Sequence, residues 1–492
     1  MSLRVTNTLT GEVEPFEPAD DTVRLYLCGL TTSDPAHLGH ARTWVHTDVI
    51  HRWLEHTGYT VQHVENFTDV NEKIVARVGE DGPDEAAVAE HYIQEFLDVM
   101  RRLRLKRASV YPRVTDHIDE IIEMIETLVE RDYAYVSNGS VYFDVTAFED
   151  YGTLSNQALD DMQAQGPADE RAEKRHPADF ALWKAGGVDP EDIAEHRHPE
   201  AAPAEEACTH AMTWDSPWGE GRPGWHIECS AMSTTYLGAP FDIHVAGEDL
   251  VFPHNENEIA QAEAATDRGF ANYWLHIGLL ETEGEKMSSS LKNFFTAETA
   301  LDEFGPDVVR TFLLSTTYTD KQTYSEAALK EATERYDRLA RGVEQAREAA
   351  DSPAASPKVT DEALRAAVAE TTEAVSAAMN DDFNTRRALA ALDELTNAVF
   401  AHIDDSDRYD YVGLRDAIDV YETYGGEVLG LSFGTDIESE VHLVEDLVEL
   451  VLELREDERA AGNYERADAL RDSLEALDIE VQDTDDGPTY RL

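Results

Sequence analysis

The sequence predicts an α/β protein: a doubly wound parallel nucleotide-binding domain split by an insertion, then a helical bundle and a small C-terminal unit. Three observations carry this expectation. A strand–helix–strand pattern fills residues 23–67, and strand character returns at 240–247 and 274–280. Between them, residues 157–215 are poor in periodicity and rich in Ala, Pro, Glu and His. Beyond residue 300 the apolar spacing is almost wholly helical.

The elements follow in order. VRLYLC (23–28) is a run of β-formers leading into a Gly-containing loop. Residues 38–57 place Trp44, Val45, Val49, Ile50, Trp53 and Leu54 at helical spacing, and Gly58 fits the stop. YTVQHVENF (59–67) reads as a second strand, which makes a parallel βαβ unit. The pattern is helical from about 88 to 132, and SVYFDV (140–145) is a short strand. PFDIHVAG (240–247) is a strand, a helix runs from about Pro253 to Ala265, and WLHIGLL (274–280) is one more strand. Helices are expected at 326–350, 361–379, 384–403, 412–424, 441–461 and 464–476, with a linker, DSPAASPK, at 351–358.

Length and charge bound the function. At 492 residues the chain exceeds a single core, and its 42% hydrophobic content suffices for several. No run of eighteen apolar residues suggests a membrane span. No apolar stretch follows a basic start in MSLRVTNTLTGEVEPFEP, so no secretory signal is expected. Three cysteines, Cys28, Cys208 and Cys229, are too few and odd in number for a disulfide framework, which points to a reducing, cytoplasmic setting. Cys208 reads as a small buried hydrophobe. The formal net charge is −61, with 101 acidic residues spread along the chain. Only 9 lysines accompany 31 arginines. That balance suits an acidic surface in a salt-rich cytoplasm and resembles proteins of salt-loving archaea. It argues against a nucleic-acid partner. The one dense basic cluster is Arg101, Arg102, Arg104, Lys106 and Arg107, either a solvated helix end or a phosphate contact.

Two motifs look suited to phosphates. His37-Leu38-Gly39-His40 lies between the first strand and its helix. Glycine permits close backbone approach, a helix N-terminus favours anions, and imidazoles can donate to triphosphate oxygens. Alone, the motif is more commonly explained by two surface histidines. Lys286-Met287-Ser288-Ser289-Ser290 follows the strand at 274–280. A lysine with hydroxyls on a loop can clamp a triphosphate, although a plain polar loop would look similar. A third group comprises Cys28, Cys229, His254 and Glu258, all chemically competent zinc ligands. His254 and Glu258 are four apart on an expected helix and share a face. Spacing alone does not join them to Cys28, some two hundred residues away.

In order and placement, the two phosphate motifs resemble the HIGH and KMSKS signatures of class I aminoacyl-tRNA synthetases. YLCGLTTSDPAHLGHAR (26–42), NFTDVNEKI (66–74), SPWGEGRPGWHIECSAM (216–232), GEDLVFPHNENEIAQ (247–261), KMSSSLKNF (286–294) and NYERADALRDSLEALDIEVQDT (463–484) resemble segments of the cysteinyl-tRNA synthetase family. The resemblance spans nearly the whole chain and is weakest at 157–210. It implies activation of cysteine with ATP and magnesium, then transfer to the 3′ end of tRNA. It places a zinc ion on Cys28, Cys229, His254 and Glu258. It places cysteine against Cys28, Gly29, Thr68, Trp225 and His226. ATP falls to His37, His40, Lys286 and Ser289, and the catalytic set is His37, Gly39, His40, Lys286 and Ser288.

Zinc would give the resemblance physical sense, because an apolar pocket separates serine from cysteine poorly whereas a soft metal prefers sulfur. Four protein ligands also mark closed structural sites, so that alternative stands. Where the family often has His-His-Glu-Asn-Glu, this chain has His254-Asn255-Glu256-Asn257-Glu258, and Ser289 replaces the second lysine of KMSKS. Lys286, assisted by Lys292, is expected to cover that loss. Tyr464 stands where the family often has a tryptophan.

The implied organisation is a catalytic domain in two halves, 20–115 and 224–283, around a connective insertion at 116–223. A stem-contact region with the KMSSS loop spans 284–340, a helical bundle for tRNA 341–435 and an anticodon-region unit 436–492. A monomer is expected. Two other readings are a ligase passing cysteine to a sugar amine, which would lack the C-terminal unit, and a zinc-stabilised tRNA-binding protein without catalysis.

Overall fold

The computed structural model describes residues 2–159, 162, 172–282, 285–286 and 295–434, and part of the remainder. Two compact units emerge, residues 1–431 and 432–492. In the second, an antiparallel hairpin pairs Glu480–Thr484 with Gly487–Arg491. The helices expected at 441–461 and 464–476 fall largely outside the described residues, as does Tyr464.

In the first unit, β1 (Arg4–Asn7) and β2 (Glu12–Pro15) form a small hairpin. The central sheet comes next: β3 (Thr22–Leu27), then α1 (Leu38–His56), then β4 (Thr60–Glu65). The expected βαβ unit is therefore present. α1 ends before Gly58, whose φ of +102° is open to glycine at little cost. The expected helical stretch 88–132 is two helices, α2 (Glu85–Arg102) and α3 (Ile118–Glu130).

The insertion is more ordered than its periodicity suggested. β5 (Ala134–Ser137), β6 (Ser140–Phe143), β7 (Phe180–Ala185) and β8 (Gly221–Pro223) form an antiparallel sheet in that order. β7 escapes a pattern reading because Phe180–Trp183 is buried throughout, a short apolar run without alternation. Its Phe180 ring stacks on Phe143 at 5.0 Å. Another unexpected element is α4 (Trp225–Leu237). It has no single apolar stripe, because Ser230 and Ser233 are buried and hydrogen-bonded beside Ile227 and Met232.

β9 (Phe241–Gly247) pairs in parallel with β3 and with β10 (Ala271–Ile277), completing the order β10-β9-β3-β4. The helix between them, α5 (Glu256–Thr266), starts three residues later than expected. Val251–Asn255 is instead a kinked π turn with Phe252 extended (φ −138°, ψ 134°), the irregularity often found at functional sites. The expected strand 274–280 is broken at Gly278, where a Cβ would lie 2.5 Å from the Asp320 carbonyl oxygen. Beyond it come β11 (Leu280–Thr282) and β12 (Glu285–Lys286).

Helices then dominate: α6 (Ala297–Leu314), kinked at Gly305, α7 (Glu326–Asp351), α8 (Glu362–Met379), α9 (Thr385–Asp405) and α10 (Tyr411–Val420). Among the described residues, no helix is long and apolar enough to cross a membrane.

Two buried arginines tie α1 to this helical region. Arg42 donates to the carbonyls of Gly278, Leu313, Thr317 and Asp320 and to Gln322 Oε1. Arg310 on α6 meets Asp48 on α1 at 2.6 Å and donates to the Leu103 and Leu429 carbonyls. Removing Arg310 leaves Asp48 with Arg52 and the Lys106 amide, but takes the buried donor from the Leu103 and Leu429 carbonyls and one partner from a buried ion pair. Arg310→Leu is expected to lower stability by about 3–5 kcal/mol, read from urea unfolding at molar KCl.

Candidate active site

A cavity of about 510 Å³ opens at the carboxyl ends of β3, β9 and β10. Its position matches the switch point of an open α/β sheet, because the connections leave β3 and β9 in opposite directions. Cys28, Gly29, His37, Gly39, His40 and Trp225 are among the residues that line it.

His37 caps α1. Its Nδ1 accepts from His40 N at 3.3 Å, and His40 Nδ1 accepts from His37 N at 3.3 Å. The rings stack with centroids 3.6 Å apart. With Nδ1 accepting, each neutral ring carries its proton on Nε2, away from the backbone. Gly39 has a reason the sequence did not reveal: a Cβ there would lie 2.8 Å from His37 Cε1. The stretch after the KMSSS motif joins this cap directly. Leu38 N donates to Phe295 O (3.1 Å) and Ala297 N to Ala36 O (2.7 Å). Lys286 lies on β12, opposite Glu281. Ser288, Ser289 and Lys292 lie outside the described residues.

The four candidate ligands converge. One donor atom each from Cys28, Cys229, His254 and Glu258 lies within 4.8 Å of the others, and all four residues are buried. The Cys28 and Cys229 sulfurs are 3.6 Å apart, Cys28 Sγ is 3.4 Å from His254 Nε2, and His254 Nε2 is 2.9 Å from Glu258 Oε1. Zinc–sulfur bonds of about 2.3 Å put two sulfurs roughly 3.8 Å apart on a tetrahedron. Both the donors and their spacing therefore fit zinc. Each comes from a different setting: the tip of β3, the first turns of α4, the π turn and α5. Of the four, only Cys28 lines the cavity.

The electrostatics favour the ligating forms of Glu258 and Cys229, whereas the hydrogen bond with Cys229, with burial, holds the Cys28 thiol up. Burial pushes the Glu258 carboxyl up, but His244 and His254 outweigh it and hold the group well below its usual range. The hydrogen bond from Cys28 brings the Cys229 thiol down to about 6. Burial opposes protonation of His254, yet Glu258 and Cys229 raise it to about 10, so a metal must displace that proton.

Around the quartet stand residues that the sequence reading missed. His244 Nε2 lies 2.8 Å from Glu258 Oε2, and Asn255 Nδ2 donates to Glu258 Oε1 (3.0 Å). Asn66 Oδ1 accepts from Tyr26 OH and Gly29 N, both at 2.8 Å. A Cβ on Gly29 would overlap the Asn66 carbonyl, which is why glycine follows Cys28. Asn66 lies within NFTDVNEKI and His244 within a strand, so the quoted segments contained them without showing their direction. Asn66 Nδ2 donates to Thr68 Oγ1 at 3.3 Å. His226 and His254 meet through their Nδ1 atoms at 2.8 Å, and burial with His254 nearby drives His226 far toward neutrality. The Trp225 ring lies 4.4 Å from that of His254.

One expectation needs correction, and the open reading of the basic cluster gains its partners. Cys208 is half-exposed, with its Sγ donating to the Glu205 carbonyl, and is no core hydrophobe. The basic cluster is matched internally. Arg101 pairs with Asp98, Arg102 with Asp302, Arg104 with Asp307 and Lys106 with Glu55, while Arg107 lies over Tyr111. Carboxylates from α1, α2 and α6 thus occupy the cations that phosphates would need.

Comparison with known proteins agrees with this geometry. A family described as tRNA synthetases class I (C) catalytic domain matches residues 15–334, and a DALR domain matches 374–434. The Mycobacterium tuberculosis methionyl-tRNA synthetase complex with methionyl-adenylate shares the fold (TM-score 0.57, 17% identity, 82% of this chain and 88% of that one). The fold and the match over most of the chain are those of a class I aminoacyl-tRNA synthetase. Within that class, the cysteine–tRNA ligase of Haloarcula marismortui is 68% identical and that of Halobacterium salinarum 60%, each over the whole of both chains. The Thermococcus onnurineus enzyme is 42% identical over 100% of this chain and 99% of its own. This chain belongs to the cysteine–tRNA ligase family.

Outer groups that orient a ligand typically change metal affinity by about 10–100-fold. If the quartet holds zinc, His244→Ala is therefore expected to weaken its binding by that factor, measured by competition with a chromogenic chelator against wild-type protein.

Proposed function

We propose that this chain activates cysteine with ATP in the cytoplasm, as a monomer, and loads it onto the 3′ end of its tRNA, selecting the thiol through zinc held by Cys28, Cys229, His254 and Glu258. One observation carries the selection: the four donors meet at the wall of the cavity that also holds the HLGH turn, and Cys28 is where the cluster reaches that cavity. This favours a site open to substrate over a closed structural one. Zinc there would supply a soft Lewis acid that prefers the sulfur of cysteine to the oxygen of serine.

Cysteine lies against Gly29, Thr68, Trp225 and His226, with the neutral imidazole and the indole packing beside the side chain. Its carboxylate oxygen attacks the α-phosphorus of ATP. A P–O bond forms, the bond to the β-phosphate oxygen breaks, and pyrophosphate leaves with magnesium. His37 and His40, donating from Nε2 at the start of α1, stabilise the charge that develops, and Gly39 keeps the His37 ring in place. Lys286, Ser288 and Ser289 hold the departing phosphates. A terminal ribose hydroxyl of tRNA then attacks the carbonyl carbon of the adenylate, and AMP leaves. Positioning and charge neutralisation supply most of the rate.

In this reading residues 20–115 and 224–283 carry the catalytic chemistry around the insertion 116–223. Residues 284–340 contact the stem, 341–435 form the tRNA bundle and 436–492 read the anticodon region.

The test is cysteine-dependent ATP–pyrophosphate exchange at molar KCl. Wild type is expected to exchange with cysteine and hardly with serine, and to lose that preference when a chelator strips the zinc. Equal exchange with both amino acids in the zinc-loaded protein would overturn the selection. Lys286→Ala is expected to slow exchange by about 10²–10³-fold, and a normal rate would remove Lys286 from the phosphate site.

A further inference from the structure

Arg42 is wholly buried on α1, two residues beyond His40. Residues two apart on a helix point to nearly opposite sides. His37, Gly39 and His40 accordingly line the active-site cavity, while the Arg42 side chain runs the other way, beneath the sheet that carries Lys286.

Its hydrogen bonding is complete. Nε donates to the Gly278 carbonyl at 3.0 Å. One terminal nitrogen donates to the Leu313 carbonyl (3.2 Å) and to Gln322 Oε1 (2.5 Å). The other donates to the Thr317 and Asp320 carbonyls (2.8 and 2.7 Å). A guanidinium has five N–H groups in a fixed fork, and here each has an acceptor. None of the five is a carboxylate oxygen. Burial lowers the Arg42 pKa to about 10, with Asp320 acting against the fall, so the cation persists at neutral pH. A buried charge satisfied by neutral oxygens on every N–H fixes geometry more than it neutralises a partner.

The acceptors come from three stretches: the end of β10, the end of α6, and the turn 317–320 with the start of β13 (Gln322–Tyr324). Those stretches frame the KMSSS motif. Gly278 N donates to the Tyr318 carbonyl (2.7 Å) and Gln322 N to the Leu279 carbonyl (3.0 Å). β11 then lies between β13 and β12, with Leu280 opposite Gln322 and Glu281 opposite Lys286. Arg42 therefore grips the root of the strands that bring Lys286 forward. On the other side of the motif, Phe295 O and Ala297 N bond to Leu38 N and Ala36 O. Both flanks of the motif are fastened to the helix that carries HLGH, and on the first flank the fastening is this side chain.

Resting on the ligase reading above, we propose that Arg42 is a positioning residue for adenylate formation: it holds β11 and β12, and with them Lys286, in register with His37 and His40, so that both motifs meet one triphosphate. Lysine could not take its place, because three donors on one nitrogen cannot reach five acceptors set around a planar fork.

The test is Arg42→Lys at molar KCl, with Gln322→Met loosening the same grip from the acceptor side. A displacement of about 1 Å at a reacting centre can cost about 10²-fold. The kcat of cysteine-dependent ATP–pyrophosphate exchange is expected to fall by about that factor in Arg42→Lys, and by about tenfold in Gln322→Met, where four of the five bonds remain. KM for cysteine is expected to stay at the wild-type value in both. Single-turnover transfer from preformed cysteinyl-adenylate to tRNA is also expected to be unchanged, since pyrophosphate has already left. Added to Lys286→Ala, Arg42→Lys is expected to slow exchange by less than about threefold further, because a group already removed cannot be misplaced. Normal exchange in either variant that folds would overturn the positioning role and leave the ligase reading standing. An equal loss in the transfer step would also overturn it, since the effect would then be general. So would losses that multiply in the double variant, since they would not run through Lys286. Wild type without cysteine-dependent exchange would overturn the ligase reading as well.

Discussion

Strands β3 and β9 lie side by side in parallel, with Leu25, Tyr26 and Leu27 opposite Ile243, His244 and Val245, and Cys28 N donates to the Val245 carbonyl at 3.0 Å. More than two hundred residues of chain separate these neighbours. Their pairing brings Cys28 to the same sheet edge as the turn that carries His254. It also sets His244, which grips Glu258, next to Tyr26, whose hydroxyl holds Asn66. Once the register is set, the ligands, the supports behind them and the cavity in front are positioned together. A slip of one residue would turn Tyr26 and His244 to opposite faces.

The interior around this pairing is unusually polar. His254, Asn255, Glu256, Asn257, Glu258 and Gln261 are all buried within the π turn and α5. Such a segment is costly unless each group finds a partner. Partners are present: Glu256 accepts from the Gly152 and Ser155 amides, Asn257 meets Tyr151, and Asn255 bridges Glu258 and His276. The insertion thus does more than cover the site. Its residues 151–155 complete the hydrogen bonding of the helix that carries a ligand, which ties the order of the insertion to the order of the site.

The surface follows a different rule. Acidic residues dominate the chain, and four of the five cations in the one basic run are paired with carboxylates of α1, α2 and α6. Basic character survives where the chain closes around it, in arginines such as Arg42 and Arg310 that bind helices together. Enclosure protects an electrostatic contact from salt, whereas exposure does not.

Local chemistry was legible without coordinates. The strand at 23–28, the helix after it and the major helices from 326 to 424 could be read from spacing. The HLGH turn and the four ligand types could be read from residue identity, and their association from resemblance. Two elements were not legible: β7 is a short apolar run without alternation, and α4 mixes buried serines with apolar residues, so neither carries a period. The internal matching of Arg101–Arg107 was also hidden, because Asp302 and Asp307 arrive from two hundred residues away. By itself the sequence determined which groups could bind a metal and a triphosphate, since that depends on atoms each side chain already has. Tertiary structure alone decided that sulfur, imidazole and carboxylate share one point, and that acceptors from separate stretches converge on Arg42. Those facts depend on long-range strand pairing and packing, which local pattern does not encode.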